Sequence, residues 1–310
     1  MRITNADYSP LDVLSELLSY TRCSNVDTED FFQDEHASHD WLTARWADKL
    51  DVVLNSFRRL GTDVYEQQHI RDYGVDVRLT FDHKSEHHKV GFQLKSNNEA
   101  VADSRPNRTG ESMVAVLKRQ AFEAAQRSGV TDWWIVLAFD RVKHAKKVQA
   151  INAELLSGTT LPIRITVVDP RKAMAFLSMS DQKIDAICTL LLCADDEVLK
   201  SAQSEVRNMG SFARKFVLSH IGDALNGERQ ISQDDIWSWN TVGDFDDEKA
   251  IEEIRDLESD GFLIVDDANA GYTVEPGAYP GLCALYFEGR VRHELNPKAA
   301  AEFMERLVDD

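Results

Sequence analysis

The segment from Asp72 to Ser96 constrains the fold more than any other stretch of this chain. Asp72-Tyr73-Gly74-Val75-Asp76-Val77 leads into a polar connection, after which comes Val90-Gly91-Phe92-Gln93-Leu94-Lys95-Ser96. Two apolar-rich runs flanking a polar connection predict a pair of adjacent strands. Side chains alternate between the two faces of a strand. Gln93 and Lys95 therefore share one face, while Phe92 and Leu94 share the other. The pattern can bring a carboxylate (Asp76), an amide (Gln93) and an amine (Lys95) to one spot on a sheet.

Around this hairpin, strand and helix signals alternate. Ser9-Pro10 ahead of Leu11, Leu14, Leu17 and Leu18 predicts a capped helix with proline in its first turn. Residues 23–40 are polar and acidic and read as a loop with a short turn. A longer helix is expected over 38–60, because Leu42, Trp46, Leu50, Val53, Leu54 and Phe57 recur at helical spacing ahead of Gly61. Residues 62–68 read as a strand, 97–109 as a mobile loop, and 111–128 as a helix stopped by Gly129. Trp133 to Phe139 is a continuous apolar run, which suits a buried central strand. A helix over 142–156, a buried strand over 161–168 and a helix from Pro170 follow. This order predicts an α/β domain with a mixed sheet over residues 1–178.

Beyond residue 178 the strand signal nearly vanishes. Helices are expected over 181–209, 211–225, 232–237 and 246–260, and a closing helix over 297–307. Two short strands, Phe262–Val265 and Tyr272–Val274, flank a turn over 266–271. Helix, helix, helix, hairpin is the order of a winged helix-turn-helix. Residues 179–310 are thus expected to form a second, mainly helical domain with a winged-helix-like module.

Charge separates the two parts. The chain carries a formal net charge of −18. Residues 1–178 hold 23 Lys and Arg against 25 Asp and Glu, whereas residues 179–310 hold 12 against 28. The acidic part would repel a phosphate backbone. Contact with nucleic acid is therefore expected from the first part, where residues 105–147 hold nine Lys and Arg against four Asp and Glu. No apolar run approaches the roughly 18 residues a membrane span needs. Met1 to Tyr8 lacks the apolar core of a signal peptide. The four cysteines are scattered with no Cys-x-x-Cys pair, which fits thiols in a reducing cytoplasm.

An acid, an amide oxygen and an amine at one place suit metal-assisted hydrolysis of a phosphodiester. Mg²⁺ takes hard oxygen ligands and keeps several waters. Asp76, the Gln93 amide and the Leu94 carbonyl can supply oxygens, and Lys95 can steady the attacking water or the charge on the phosphate. Asp76…Gln93-x-Lys95, within Gly74-Val75-Asp76 and Phe92-Gln93-Leu94-Lys95-Ser96, resembles the PD-(D/E)XK nuclease superfamily, in particular its Mrr-like restriction endonuclease branch. The resemblance covers about residues 40–178. It implies a restriction-endonuclease-like αβββαβ core and cleavage of DNA with Mg²⁺ (Mn²⁺ as a substitute), in a restriction or anti-phage role. Valine stands where the superfamily's name has proline, and glutamine replaces the second acid. Relatives often add an acid from the preceding helix. Asp48 is the first choice for it here, with Asp51 and Glu66 as alternatives, and Gln120 matches a position often polar in that branch.

Arg105, Arg108, Lys118, Arg119, Gln120 and Lys143, with Lys146 and Lys147, are the candidate DNA contacts. The helix over 246–260 is too acidic to neutralise phosphates, so the second domain is expected to form a homodimer or dock a protein partner. No Gly-rich phosphate loop and no Ser or Cys nucleophile motif occurs, so coupling to ATP would need a separate ATPase subunit. A rival expectation is a non-catalytic adaptor with a nuclease-like fold, acting through protein contacts. A third is cleavage of RNA or of junctions by the same site. His36 and His39 have metal-ligand spacing among Asp34, Glu35 and Asp40, but read as a solvated loop. His83, His87 and His88 read as an exposed hairpin tip.

Overall fold

The computed structural model describes residues 8–19, 25–59, 66–105, 110–156, 163–192, 196–225, 227–243, 245–266, 268 and 270–309. The chain divides into two compact units, Ser9–Ala186 and Ile187–Asp310, with the first eight residues grouped with the latter. The division falls inside a helix, a little beyond the expected boundary at 178.

The first unit begins with α1 (Pro10–Leu17), closed at its start by a reciprocal capping box between Ser9 and Asp12. The expected loop over 23–40 instead contains α2 (Asn25–Phe31) and a 3₁₀ turn, Asp34–Ala37, and leads into α3 (His39–Arg59). Then come β1 (Glu66–Asp72), β2 (Val75–His83) and β3 (Glu86–Ser96). The two-residue turn Lys84-Ser85, with both φ positive, joins β2 and β3 tightly. His83 and His88 are consequently strand residues, and the His88 ring stacks on Phe81 at 4.9 Å. The segment expected to be a mobile loop forms α4 over Asn97–Asp103. It is followed by α5 (Met113–Glu123), β4 (Asp132–Ala138), α6 (Ala145–Leu156), β5 (Arg164–Val168), α7 (Pro170–Ser178) and α8 (Asp181–Leu192).

These strands form a mixed sheet in the order β1-β2-β3-β4-β5. The β1–β2 and β2–β3 pairs are antiparallel, and β3–β4 and β4–β5 are parallel. Tight turns can join only antiparallel neighbours, so the helices carry the chain across each parallel connection. Every residue of β4 is buried, as its apolar run requires of a central strand. β5 was expected to be buried as well, but it lies at the sheet edge and is only partly covered.

Aromatic packing builds one layer beside the sheet. Trp46 of α3 lies 5.6 Å from Phe92 and 5.1 Å from Phe176, and Phe92 lies 5.9 Å from Trp134. A second cluster joins Trp133, Ile135 and Leu137 of β4 to Leu117, Ala121, Ile151 and Leu155 of α5 and α6. A cation is sealed between α3 and the chain before α8. Lys49 of α3 is fully buried, donates to the Met179 carbonyl, and reaches Asp181 Oδ1 at 2.6 Å.

The second unit is mainly helical. It contains α9 (Asp196–Asn208), α10 (Ser211–Leu225), α11 (Gln233–Val242), α12 (Asp247–Ser259), α13 (Pro280–Phe287) and α14 (Pro297–Asp309). A small antiparallel sheet places β8 (Gly271–Val274) between β6 (Gln230–Ser232) and β7 (Leu263–Asp266). β6 and α13 had no counterpart in the sequence reading. Phe212, Phe216, Trp239 and Phe245 stack and abut around α10 and α11. Asn240 donates to Asp247 Oδ1 at 2.7 Å, and Glu253 accepts the Ala213 N–H at 2.7 Å, tying α12 to α11 and to the start of α10. Among the described residues, no helix is long and apolar enough to cross a membrane.

Candidate functional site

β2 and β3 pair only as far as Val77 and Phe92, and at the fork beyond that pair Asp76 takes over from the ladder. Its Oδ2 accepts the Leu94 backbone N–H at 2.7 Å and the Gln93 Nε2–H at 2.7 Å. A carboxylate can only accept, so the Gln93 amide must turn its nitrogen to Asp76, leaving its oxygen for another partner. The N–H and C=O of one strand residue point to the same side, so the Leu94 carbonyl also faces the fork. Gln93 Nε2 lies 3.3 Å from that carbonyl. Asp76, Gln93 and Lys95 are all buried.

The turn ahead of Asp76 is locked. Gly74 has φ +77°, and a Cβ there would stand 2.6 Å from the Gln120 carbonyl oxygen. The Gly74 carbonyl accepts the Trp133 indole N–H at 2.8 Å. Only glycine allows both the left-handed backbone and the close approach of α5.

Lys95 reaches Glu99 Oε1 at 3.1 Å. Glu99 stands in the first turn of α4, where Ser96 and Glu99 form a reciprocal capping box. Glu99 Oε2 accepts from both the backbone N–H and the hydroxyl of Ser96, at 2.8 and 2.9 Å. The sheet thus hands its last residue to a helix whose third residue turns back onto the lysine.

His39, the first residue of α3, joins the two carboxylates. Its Nε2 lies 3.3 Å from Asp76 Oδ1, and its Nδ1 lies 3.3 Å from Glu99 Oε2. The second contact is an ion pair without hydrogen-bond alignment. Asp76 first, and then Glu99, raise the His39 pKa to about 10 against the effect of burial, so the ring is positively charged at neutral pH. Burial pushes the Glu99 carboxyl upward, but His39, Lys95 and the Ser96 N–H together outweigh it and bring the pKa down to about 2. Two anions and two cations therefore meet at the fork.

The donors suit a hard cation. Asp76 and Glu99 offer carboxylate oxygens, Leu94 a backbone carbonyl, and Gln93 an amide oxygen. Among the described residues, no group of three or more His, Cys, Asp or Glu is placed to hold a metal. Mg²⁺ does not need such a cage, because it uses one or two carboxylates and keeps waters. Lys95 and Glu99 also line a cavity of about 310 Å³, walled by Ala102, Asp103, Glu111, Met113 and Val116.

Of the acids named for the preceding helix, neither is brought here. Asp48 and Asp51 are exposed on α3, nine and twelve residues from His39. At 1.5 Å per residue they lie roughly 14 and 18 Å along the axis. The Glu66 side chain and Arg108 lie outside the described residues. Glu99 is the further acid that the structure brings to the fork, and the sequence reading passed over it because residues 97–109, polar and containing Pro106, read as a loop. The Ser-x-x-Glu spacing was the available signal. His36 does not join His39. It packs between Phe31 and Trp41 in tilted contacts, with ring centroids 4.7 and 4.0 Å away.

The candidate DNA contacts are mostly engaged with acids. Lys118 pairs with Glu154 at 2.6 Å, and Arg119 with Glu111 and Glu123 at 3.3 and 3.1 Å. Lys143 pairs with Glu29 and Asp140 at 2.8 and 3.1 Å, and Lys147 pairs with Asp103. Gln120 packs against Gly74 with its Oε1 buried and unpartnered. Arg105 and Lys146 are exposed. No protein-family model, curated protein or solved structure matches the chain.

Proposed function

We propose that the protein is a metal-dependent endonuclease of the PD-(D/E)XK kind that hydrolyses DNA phosphodiester bonds. One observation carries this reading: Asp76, Gln93 and Lys95 meet at the fork of two central strands, with a second acid, Glu99, beside the lysine. The succession α3-β1-β2-β3-α4-α5-β4 around a mixed sheet is compatible with the αβββαβ core that the motif implies, with the short α4 added before α5.

In this reading Asp76, Glu99, the Leu94 carbonyl and the Gln93 oxygen would hold the cation. When bound, Mg²⁺ supplies charge for the phosphate oxygens and an activated water. Lys95 holds a fixed positive charge in a buried setting, where it stabilises the charge that develops on the phosphate. Glu99 keeps the ammonium from folding away. Gln93 and the Leu94 N–H hold the Asp76 carboxylate in one orientation. Plasmid DNA incubated with Mg²⁺ should be cut by the wild type. Asp76→Ala and Lys95→Ala should each cut at least about 100-fold more slowly. Equal cutting by all three would end this reading, and a parallel RNA substrate decides between DNA and RNA.

The second unit fits a regulatory or docking role. The order α10, α11, α12 and then the β7–β8 hairpin is that of a winged helix-turn-helix. Its third helix carries exposed Asp247, Glu248, Glu252 and Asp256, so a protein partner or a second copy suits it better than DNA. An adaptor without catalysis is the rival. It is favoured by the acid pairing of Lys118, Arg119 and Lys143, which leaves few bases ready for phosphates. An adaptor would bind neither Mg²⁺ nor Mn²⁺ in a way that depends on Asp76.

A further inference from the structure

His39 has no part in the motif that defines the candidate site, yet it touches both of that site's carboxylates. Its two ring nitrogens lie 3.3 Å from Asp76 Oδ1 and 3.3 Å from Glu99 Oε2. The ring therefore stands between the two groups that a divalent cation would bridge.

The helix itself gives no reason for this ring at this point. His39 is the first residue of α3. Ser38 already caps the helix, accepting the Trp41 N–H at 3.2 Å. The ring is held by the carboxylates across from it. About a third of the His39 side chain is open to solvent, so the ring can turn outward without breaching the core.

Space makes the two occupants exclusive. One ring nitrogen faces each carboxylate, so the ring fills the gap between Asp76 Oδ1 and Glu99 Oε2. A divalent cation held by both carboxylates, at the about 2.0–2.1 Å usual for Mg²⁺, would have to stand where the ring stands. Without the ring, the fork keeps four oxygen donors.

We propose that His39 is a placeholder, occupying the position of the divalent cation between Asp76 and Glu99, and that it must swing out before that cation binds. The inference rests on the nuclease reading above. It makes His39 a negative determinant of metal affinity, and so of the readiness of the site.

Calorimetric titration of the full chain with Mn²⁺ tests it, using wild type, His39→Gln, His39→Ala and Asp76→Ala. Glutamine keeps a polar side chain at the helix start and guards against a folding defect in the alanine variant. By vacating the position the ring occupies, both His39 variants should bind Mn²⁺ about tenfold tighter or more, and Asp76→Ala should lose the binding. Unchanged affinity in the His39 variants overturns the placeholder. Weaker affinity overturns it too, and makes His39 a ligand. In either case, Asp76-dependent binding with plasmid cleavage leaves the nuclease reading standing. If neither wild type nor either His39 variant binds Mn²⁺, or if binding survives Asp76→Ala, both fail.

Discussion

Glu99 closes two structures with one carboxylate: its Oε1 lies 3.1 Å from Lys95 Nζ, and its Oε2 accepts the Ser96 N–H at 2.8 Å. The first contact fixes the catalytic candidate, and the second starts α4. Charge and helix initiation are thus coupled at a single residue, four positions after the lysine.

Replacing Glu99 can separate the two roles. Glutamine also closes capping boxes, so Glu99→Gln should keep α4 and lose the ion pair. Glu99→Ala loses both, at a cost of about 1 kcal/mol for the cap and about 3 kcal/mol for the unpaired buried ammonium. Urea unfolding should rank the proteins wild type, Gln, Ala. Plasmid cleavage should fall in both variants.

Stability should be highest over a middle pH range. The His39 pKa is raised to about 10, so its contribution is complete below the ordinary value near 6.5 and is lost as pH rises toward 10. The Glu99 pKa is lowered to about 2, so its contribution is complete above about 4.5 and is lost as pH falls toward 2. Both describe one cluster with Asp76 and Lys95, and they do not add. Thermal melts from pH 3 to 10 should show a plateau between about 4.5 and 6.5. In His39→Gln the alkaline decline should flatten, and a decline identical to wild type would refute the assignment.

Gly74→Ala should destabilise the first unit by about 2–3 kcal/mol. It combines a left-handed φ of +77° with a Cβ 2.6 Å from a backbone oxygen that belongs to α5. Asp76 follows two residues later, so metal affinity should also drop. Differential scanning calorimetry and Mn²⁺ titration read the two effects separately.

Asp48→Ala and Asp51→Ala should do little. Both side chains are exposed on α3, away from the fork. Stability should change by no more than about 0.5 kcal/mol, and Mn²⁺ affinity should match wild type. A marked loss of affinity in either variant would restore that residue as the second acid.

Much of this site can be read along the chain. Asp76, Gln93 and Lys95 are visible because strand alternation and the Gly-x-Asp…Gln-x-Lys spacing need only local geometry. The buried β4 is visible because Trp133–Phe139 is a continuous apolar run of strand rather than helix length, as a strand covered on both faces requires. Glu99 was legible in principle through Ser96-x-x-Glu99, but the polar run over 97–109, with Pro106 in it, argued for a loop. The capping box won because it satisfies donors that the loop would have left to solvent. β5 was misjudged because apolar composition does not say which strand ends at a sheet edge.

His39 lies beyond any such reading. Nothing in His39-Asp40-Trp41 distinguishes a solvated histidine from one set between two carboxylates. Its neighbours Asp76 and Glu99 are 37 and 60 residues away, and their approach depends on how α3 lies against the sheet. By itself the sequence determined which chemical groups exist and how they alternate along each strand, because backbone geometry sets those periods. The tertiary structure decided which charges meet. Ion pairing depends on distance and burial, and only packing of α3 and α4 around the fork sets those.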